Sequence, residues 1–145
     1  VVQGMKSRPD VVIGRTFVGG LIGQMVARVL RRPFVFHAEG FWPDEQVDAG
    51  FWTREGRPYK LTKRWEVNML RRALGAIVLC NVARDMVLPW RENHPDSTTV
   101  VVPSCVDLKK FQPESRVLAS RESPKLVYLG SLGGRYRVDS LARFF

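Results

Sequence analysis

The stretch VVVPSCVDLKKFQP, residues 100–113, marks a change of structure in the chain. Its three valines favour a strand, because β-branched side chains pack well on a pleated surface. Pro103 ends that strand, since proline has no amide hydrogen for a sheet and holds the preceding residue in an extended conformation. We therefore predict that a buried strand ends at Pro103 and that residues 104–124 form an interdomain linker.

Upstream of Pro103, short apolar runs alternate with segments of helical spacing. The short runs predict buried strands at Pro9–Ile13, Phe34–Phe36, Ala76–Leu79 and Thr98–Val102. The helical spacing predicts helices at 16–32, 59–74 and 82–90. This alternation is typical of a parallel sheet with crossover helices, so the predicted fold class is α/β and Rossmann-like.

The apolar spacing also predicts which side of each helix is buried. For the first helix the predicted core positions are Leu21, Ile22, Met25, Val26, Val29 and Leu30. For the second they are Leu61, Trp65, Met69 and Ala73. Asn81 is the predicted N-cap of the third helix. The aromatic and acidic segment Phe41–Pro58 shows neither period and is predicted to be a long loop.

Composition favours a folded protein with a polyanionic partner. Of 145 residues, 45% are hydrophobic, which is enough for a packed core. The net charge of +9 suggests nucleic acid, anionic lipid or a phosphorylated ligand. Cys80 and Cys105 each end an apolar run and are predicted to be buried, reduced thiols, as expected in the cytoplasm. Neither a membrane-spanning run nor a signal peptide is visible.

Polar residues follow the ends of the predicted strands, where ligands bind in parallel sheets. Upstream of the linker these are Arg15, His37, Glu39 and Asn81. After the linker, the strand-like run Lys125–Leu129 leads into a glycine-rich turn, residues 130–137. Its glycines let backbone amides approach a phosphate, and its two arginines add positive charge. The alternative is a tight turn with solvated arginines.

Four segments in this order resemble retaining glycosyltransferases of the GT-B fold, the large family-four group. They are PFVFHAEGFWP, residues 33–43; EVNMLRRALGAIVLCNVARDMV, residues 66–87; VVVPSCVDLKKFQP, residues 100–113; and LVYLGSLGGRYRVDSL, residues 126–141. The third is similar to the interdomain motif of these enzymes and is, with the strand and Gly-Ser turn after it, the most specific part of the match.

The resemblance implies a partial GT-B architecture. Residues 1–103 would be the later half of the N-terminal, acceptor-side domain, and residues 104–124 the interdomain linker. Residues 125–145 would begin the C-terminal, nucleotide-sugar domain. The chain is then expected to be an inactive fragment of a longer enzyme, and the family's glutamates that grip the donor sugar are expected beyond Phe145.

The resemblance also implies site roles. The predicted donor-diphosphate residues are Gly130, Ser131, Gly133, Gly134, Arg135 and Arg137. The two arginines stand in for the family's usual Arg and Lys, whose positions hold Ser131 and Tyr136. The predicted catalytic position is His37 or, by strict register, Glu39. Arg15 and Trp42 are predicted on the acceptor side; Trp42 would either stack on a sugar or pin the loop.

The expected partners are a nucleotide-sugar donor and a saccharide or lipid-linked acceptor, with neither a metal nor another cofactor and no nucleic acid. The basic residues of 59–72 would meet an anionic membrane surface peripherally, at its cytoplasmic face, or form a solvated surface. The alternative function is a basic α/β module that binds nucleic acid or another polyanion without catalysis. A nicotinamide-dependent enzyme is disfavoured, because the G-x-G-x-x-G spacing is missing.

Overall fold

The computed structural model describes residues 8–112, 127–130, 140 and 142–143. Contacts between Cα atoms divide the chain into two compact units, Val1–Pro103 and Ser104–Phe145.

In the described part of the first unit, strands and helices alternate. The strands are β1 (Val12–Arg15), β2 (Phe34–Ala38), β3 (Gly75–Val78) and β4 (Thr99–Val101). The helices are α1 (Thr16–Leu30), α2 (Trp42–Asp48), α3 (Arg57–Arg72) and α4 (Asn81–Val87), with 3-10 turns at Leu88–Arg91 and Asp96–Thr98. All neighbouring strands pair in parallel, in the order β1-β2-β3-β4. The predicted α/β, Rossmann-like parallel sheet with crossover helices is confirmed.

The described helices cover one face of this sheet. Because the strands follow one another in order, right-handed crossovers carry each connecting helix over the same side. In β2, Phe36 and Ala38 face the helices and are buried, whereas His37 faces the other way. On that second face Ile13 is 58% and Val100 45% exposed. The core therefore lies between the sheet and a single layer of helices.

Helix α1 packs on the sheet through small residues. Its buried residues are Phe17, Gly20, Gly23 and Ala27. A Cβ atom added to Gly20 would lie 2.5 Å from Cε2 of Phe36, and one added to Gly23 would lie 3.0 Å from Cα of Gly14. No side chain fits in these gaps without displacing its neighbours, so glycine sets the distance between helix and sheet.

The predicted buried face of α1 is therefore wrong. Leu21 packs partly against the core, but Ile22, Met25 and Val29 are 46%, 62% and 74% exposed. The physical reason is that the backbone of α1 packs closely on β1 and β2. Only the glycine side of the helix fits there, so the larger side chains point away from the sheet.

The segment predicted as a long loop contains helix α2, so that prediction is also wrong. Pro43 occupies the first turn, and Asp44 and Glu45 stand where acidic side chains interact favourably with the helix dipole. Trp42 fixes the start of the helix, because its ring stacks on Phe17 with centroids 4.9 Å apart. A helix of seven residues is too short to show a period in the sequence.

Several smaller predictions need correction. In α3, Met69 and Ala73 are buried as predicted, but Leu61 is 50% and Trp65 43% exposed. The buried side turns instead toward Glu66 and Leu70, which are 1% and 0% exposed.

Three local predictions were also wrong. Asn81 is the first residue of α4 rather than its cap, and Cys80 takes the cap position without a side-chain hydrogen bond. Strand β1 continues through Gly14 to Arg15, because both residues pair with β2. Cys80 and Cys105 are free but exposed, so they are not the buried thiols that were predicted.

A buried arginine ties the end of α3 to β4. Arg91 is 2% exposed, and its guanidinium donates to the carbonyl oxygens of Leu70 at 2.5 Å and Ala73 at 2.9 Å, and to Oγ1 of Thr99 at 3.0 Å. Burial lowers the pKa of Arg91, and these acceptors replace the water that the cation has lost. The carbonyl groups at the end of α3 thus receive donors that the helix itself does not supply.

In the second unit the described residues are few. Asp107 forms a turn in which its carboxylate accepts from the amide of Lys109 at 2.9 Å and its carbonyl from the amide of Lys110 at 3.0 Å. Val127 and Leu129, part of the predicted strand 125–129, are 87% and 98% exposed and lie outside any described strand.

The glycine contact of α1 predicts opposite effects at neighbouring positions. Gly20→Ala should lower the free energy of unfolding by about 1–3 kcal/mol, because its methyl group would overlap the buried ring of Phe36. Gly19→Ala should raise it by up to about 1 kcal/mol, since alanine favours the helix and its nearest neighbour is Oγ1 of Thr16 at 3.7 Å. Urea denaturation of both variants measures the difference; equal effects would contradict the packing described.

Candidate functional site

The carboxyl edge of the sheet brings three of the predicted residues together. The register pairs Arg15 at the end of β1 with His37 in β2. Glu39 follows β2 directly, and Nε of Arg15 donates to its Oε1 in an ion pair. Arg15 therefore forms one polar group at this edge with His37 and Glu39, which follow it by more than 20 positions in the sequence.

His37 contributes a hydrogen-bonding atom that is not in use. Its side chain lies on the face of the sheet away from the helices, and its Nε2 is buried without a partner among the described residues. A buried polar atom left in this state costs about 1–3 kcal/mol. A hydroxyl group bound at this edge would satisfy it.

The turn between β1 and α1 is strained beside this group. Thr16, the first residue of α1, has φ of 60°, in the left-handed region that β-branched residues rarely enter. Such a backbone costs about 1–3 kcal/mol and is found mostly at binding and catalytic sites. The strain lies next to Arg15, whose side chain makes the ion pair with Glu39.

Trp42 lies near this edge but is held in aromatic contacts. One face of its ring stacks on Phe17, and Trp52 meets it edge to face with centroids 5.0 Å apart. Trp42 thus pins α2 to α1, which is one of the two roles predicted for it. Phe51, in the same segment, is 70% exposed.

A charge network that was not predicted from the sequence joins α2 and α3. Nζ of Lys63 lies 2.5 Å from Oδ2 of Asp44 and 2.7 Å from Oε2 of Glu66. The same nitrogen lies 4.9 Å from the ring centroid of Phe41 and 4.7 Å from that of Trp90. The three-residue spacing of Lys63 and Glu66 is a visible helical pair, but Asp44 joins it only because α2 forms.

Burial and ion pairing shift the pKa values of the residues in this network. Burial raises the pKa of Glu66, against the lowering effect of Lys63. Burial alone would lower the pKa of Lys63, but its hydrogen bonds to Asp44 and Glu66 outweigh that effect and the pKa is raised. The hydroxyl of Tyr59 donates to Oδ1 of Asp44 at 3.0 Å. Burial and this hydrogen bond raise the pKa of Tyr59. The network therefore joins the two helices that follow β2 through a cation that stays protonated.

Most of the predicted donor-diphosphate residues lie outside the described part of the chain. Gly130 is described and exposed. The positions that fall outside it are Ser131, Gly133, Gly134, Arg135 and Arg137. Their predicted role stays a prediction.

No model of a known protein family matches the chain, and no curated protein matches it. Among the described residues, no three histidine, cysteine or acidic side chains are grouped so that they could hold a metal ion. None of the described helices combines the length and the apolar character needed to cross a membrane.

The network predicts a pH-dependent loss of stability when its cation is removed. Lys63→Met should lower the free energy of unfolding by about 3 kcal/mol at neutral pH, because Glu66 would keep its charge, buried and unpaired. Since the pKa of Glu66 is raised in the folded state, the loss should shrink as the pH falls and the folded protein takes up a proton before the unfolded chain does.

Denaturation at several pH values measures this effect. Lys60→Met is the matched control, because Lys60 lies on the same helix, is exposed and forms no ion pair within the described ranges. It should change stability by less than about 0.5 kcal/mol. A Lys63→Met loss that stays constant from neutral to acid pH would contradict the role given to Glu66.

Proposed function

We propose that the chain forms part of a retaining glycosyltransferase, which moves a sugar from a nucleotide-sugar donor to an acceptor hydroxyl. The acceptor would be a saccharide or a lipid-linked sugar in polysaccharide or glycolipid assembly. The observation that carries the proposal is the polar group of Arg15, His37 and Glu39 at the carboxyl edge of a parallel sheet, beside the strained turn at Thr16. Ligands of such sheets bind at this edge.

The contacts of the group favour separate roles for its members. Glu39 is engaged by Arg15, whereas Nε2 of His37 has no partner among the described residues. We therefore assign to His37 the hydrogen bond to the acceptor hydroxyl, and to the Arg15–Glu39 pair the positioning of the acceptor. A group that receives the hydroxyl proton as the new glycosidic bond forms lowers the barrier to transfer.

The proposed binding site for the donor diphosphate is argued from the amino-acid sequence of residues 130–137. A departing diphosphate gains negative charge as the sugar bond breaks, and backbone amides and arginines stabilise it. The turn from Gly130 to Arg137, with Arg135 and Arg137, offers these groups. The proposal requires neither a metal nor another cofactor.

The outward face of α3 supports a peripheral contact with an anionic membrane, where a lipid-linked acceptor would be found. It carries the exposed cations Arg57, Lys60, Arg64 and Arg71. None of them forms an ion pair with another described residue, and the only acidic residue of α3, Glu66, is buried. Exposed Trp65 and Leu61 lie on the same helix, as is common where a helix meets lipid headgroups.

The same face also favours a second candidate function, a polyanion-binding α/β module without catalysis. A shallow groove of about 490 Å³ runs along it and is lined by Lys60, Arg64 and Arg71, which are unpaired among the described residues, and by Lys63, whose charge is paired with Asp44 and Glu66. A row of cations of this kind fits a nucleic-acid backbone as well as lipid headgroups.

Enzyme assays test the first candidate. Protein expressed from the full-length gene should hydrolyse or transfer the sugar of at least one UDP- or GDP-sugar. His37→Ala should lower kcat/KM by about 100-fold, because the hydrogen bond to the acceptor is lost. Arg135→Ala with Arg137→Ala should abolish turnover through loss of the diphosphate contacts.

Asp48→Ala, at an exposed residue of α2, is the control and should leave turnover unchanged. Turnover that survives the double arginine substitution would keep the reaction class but move the diphosphate site. Failure with every donor would favour the second candidate.

Binding assays separate the two roles of the α3 face. For the membrane role we expect the protein to sediment with phosphatidylglycerol vesicles but not with phosphatidylcholine vesicles, and Lys60→Gln with Arg64→Gln to weaken this. For the second candidate the same variant should weaken binding to single-stranded RNA, with affinity falling steeply as salt rises.

Lys109→Gln with Lys110→Gln removes the same charge from the second unit and serves as the control. If neither vesicles nor RNA binds at low salt, the face is a solvated surface and both roles are excluded.

A further inference from the structure

We propose that a cavity at the amino edge of the sheet binds a phosphate ester. The cavity is an open cleft, as open to solvent as the groove along α3, and has a volume of about 490 Å³. It lies between the end of α1, the start of β2 and the end of α3, and three arginines line it: Arg28, Arg32 and Arg72. It is therefore at the edge opposite Arg15, His37 and Glu39, and the inference does not depend on the proposed transferase activity.

The cavity holds more positive charge than its surroundings neutralise. It is lined by three arginines and no carboxylate, and none of the three is ion-paired with another residue in the described ranges. The carboxyl end of α1 contributes about −0.5 charge, and that of α3 is offset by the buried Arg91. A surplus of more than about +2 remains, and a phosphate monoester carries about −1.5 to −2 at neutral pH.

The chemistry of the arginines favours phosphate over other anions. A guanidinium presents its N–H groups in a planar fork, and this fork forms paired hydrogen bonds with phosphate oxygens. Arg28 lies in the last turn of α1 and Arg32 follows the C-cap of that helix, while Arg72 comes from another helix. Cations from two directions suit a tetrahedral group with several oxygens.

The side-chain nitrogen of Gln24 adds an observation independent of the charge. Gln24 also lines the cavity, and its Nε2 is buried with no hydrogen-bond partner in the described part of the chain. His94 is fixed at the same cavity, because its Nε2 lies 2.9 Å from the carbonyl oxygen of Arg71. An unused donor beside unpaired cations is the arrangement that an anionic ligand would complete.

The rest of the lining is apolar, which favours an ester over free phosphate. Ala27 and Phe34, both largely buried, line the cavity together with Pro33 and the exposed Leu74. A ligand with a phosphate group and an apolar portion would contact the arginines and this surface together. A soluble phosphate ester and the headgroup region of a phospholipid share this chemistry.

Calorimetric titration of the 145-residue chain at physiological ionic strength tests the proposal. Phenyl phosphate should bind more tightly than inorganic phosphate, because its ring covers the apolar surface, and phenol should not bind. Arg28→Gln with Arg32→Gln should weaken phenyl phosphate binding at least about tenfold, since a hydrogen bond to a charged group contributes about 1.5–3 kcal/mol. Lys109→Gln with Lys110→Gln removes the same net charge and should change the affinity less than about twofold.

Two further arms complete the test. Arg72→Gln, on a different helix, should also weaken binding and replaces the double variant if circular dichroism shows that variant to be unfolded. If phenyl phosphate fails to bind but phosphatidylglycerol vesicles bind and lose affinity in the same variants, the ligand is a lipid headgroup. Equal losses in the lysine control, or no binding of phosphate, phenyl phosphate or vesicles, would overturn the proposal.

Discussion

The close contact of α1 with β1 and β2 is the constraint on which the rest of the first unit depends. Gly20 and Gly23 leave no room for a side chain against Phe36 and Gly14. This distance fixes the β1–α1 turn, with its strained Thr16, and so fixes where Arg15 meets Glu39. The same contact turns the larger residues of α1 outward. Packing at the glycine face thus determines both the geometry of the polar edge and the apolar character of the outer surface.

Much of the fold was predictable from the sequence, because strand and helix periods are properties of local residue order. The order of elements and the parallel sheet followed from that alternation, and the parallel topology alone predicted that Arg15, His37 and Glu39 share an edge. The predictions failed where size or charge mattered more than hydrophobicity. An apolar stripe favours large side chains, whereas α1 packs through Gly20 and Gly23.

The site was predictable only in part, for a related reason. Sequence order placed the polar residues at strand ends, but the ion pair of Arg15 with Glu39 and the unpaired Nε2 of His37 depend on side-chain geometry. Burial of Glu66 could not be read from α3, because charged residues at helical spacing normally mark the solvent side. The helix α2, which supplies the partner Asp44, is too short to leave a periodic signal.

The positive charge of the chain is unevenly shared between the two edges of the sheet. At the carboxyl edge Arg15 is neutralised by Glu39, so this pair adds nothing to the net charge of +9. Among the described residues, groups of unpaired cations lie instead along α3 and at the amino edge. The Arg15–Glu39 pair and these unpaired cations can therefore be examined by separate substitutions.

Arg91 couples the opening of the end of α3 to the opening of β4. Its guanidinium joins the final carbonyl groups of α3 to the threonine at the start of β4, two elements separated by more than 20 positions. If the segment around Arg91 detaches, the end of α3 loses its donors at the same moment as β4 loses its anchor. The amide hydrogens of the two elements should then exchange with solvent as one cooperative unit, even though a helix and an edge strand would ordinarily open independently.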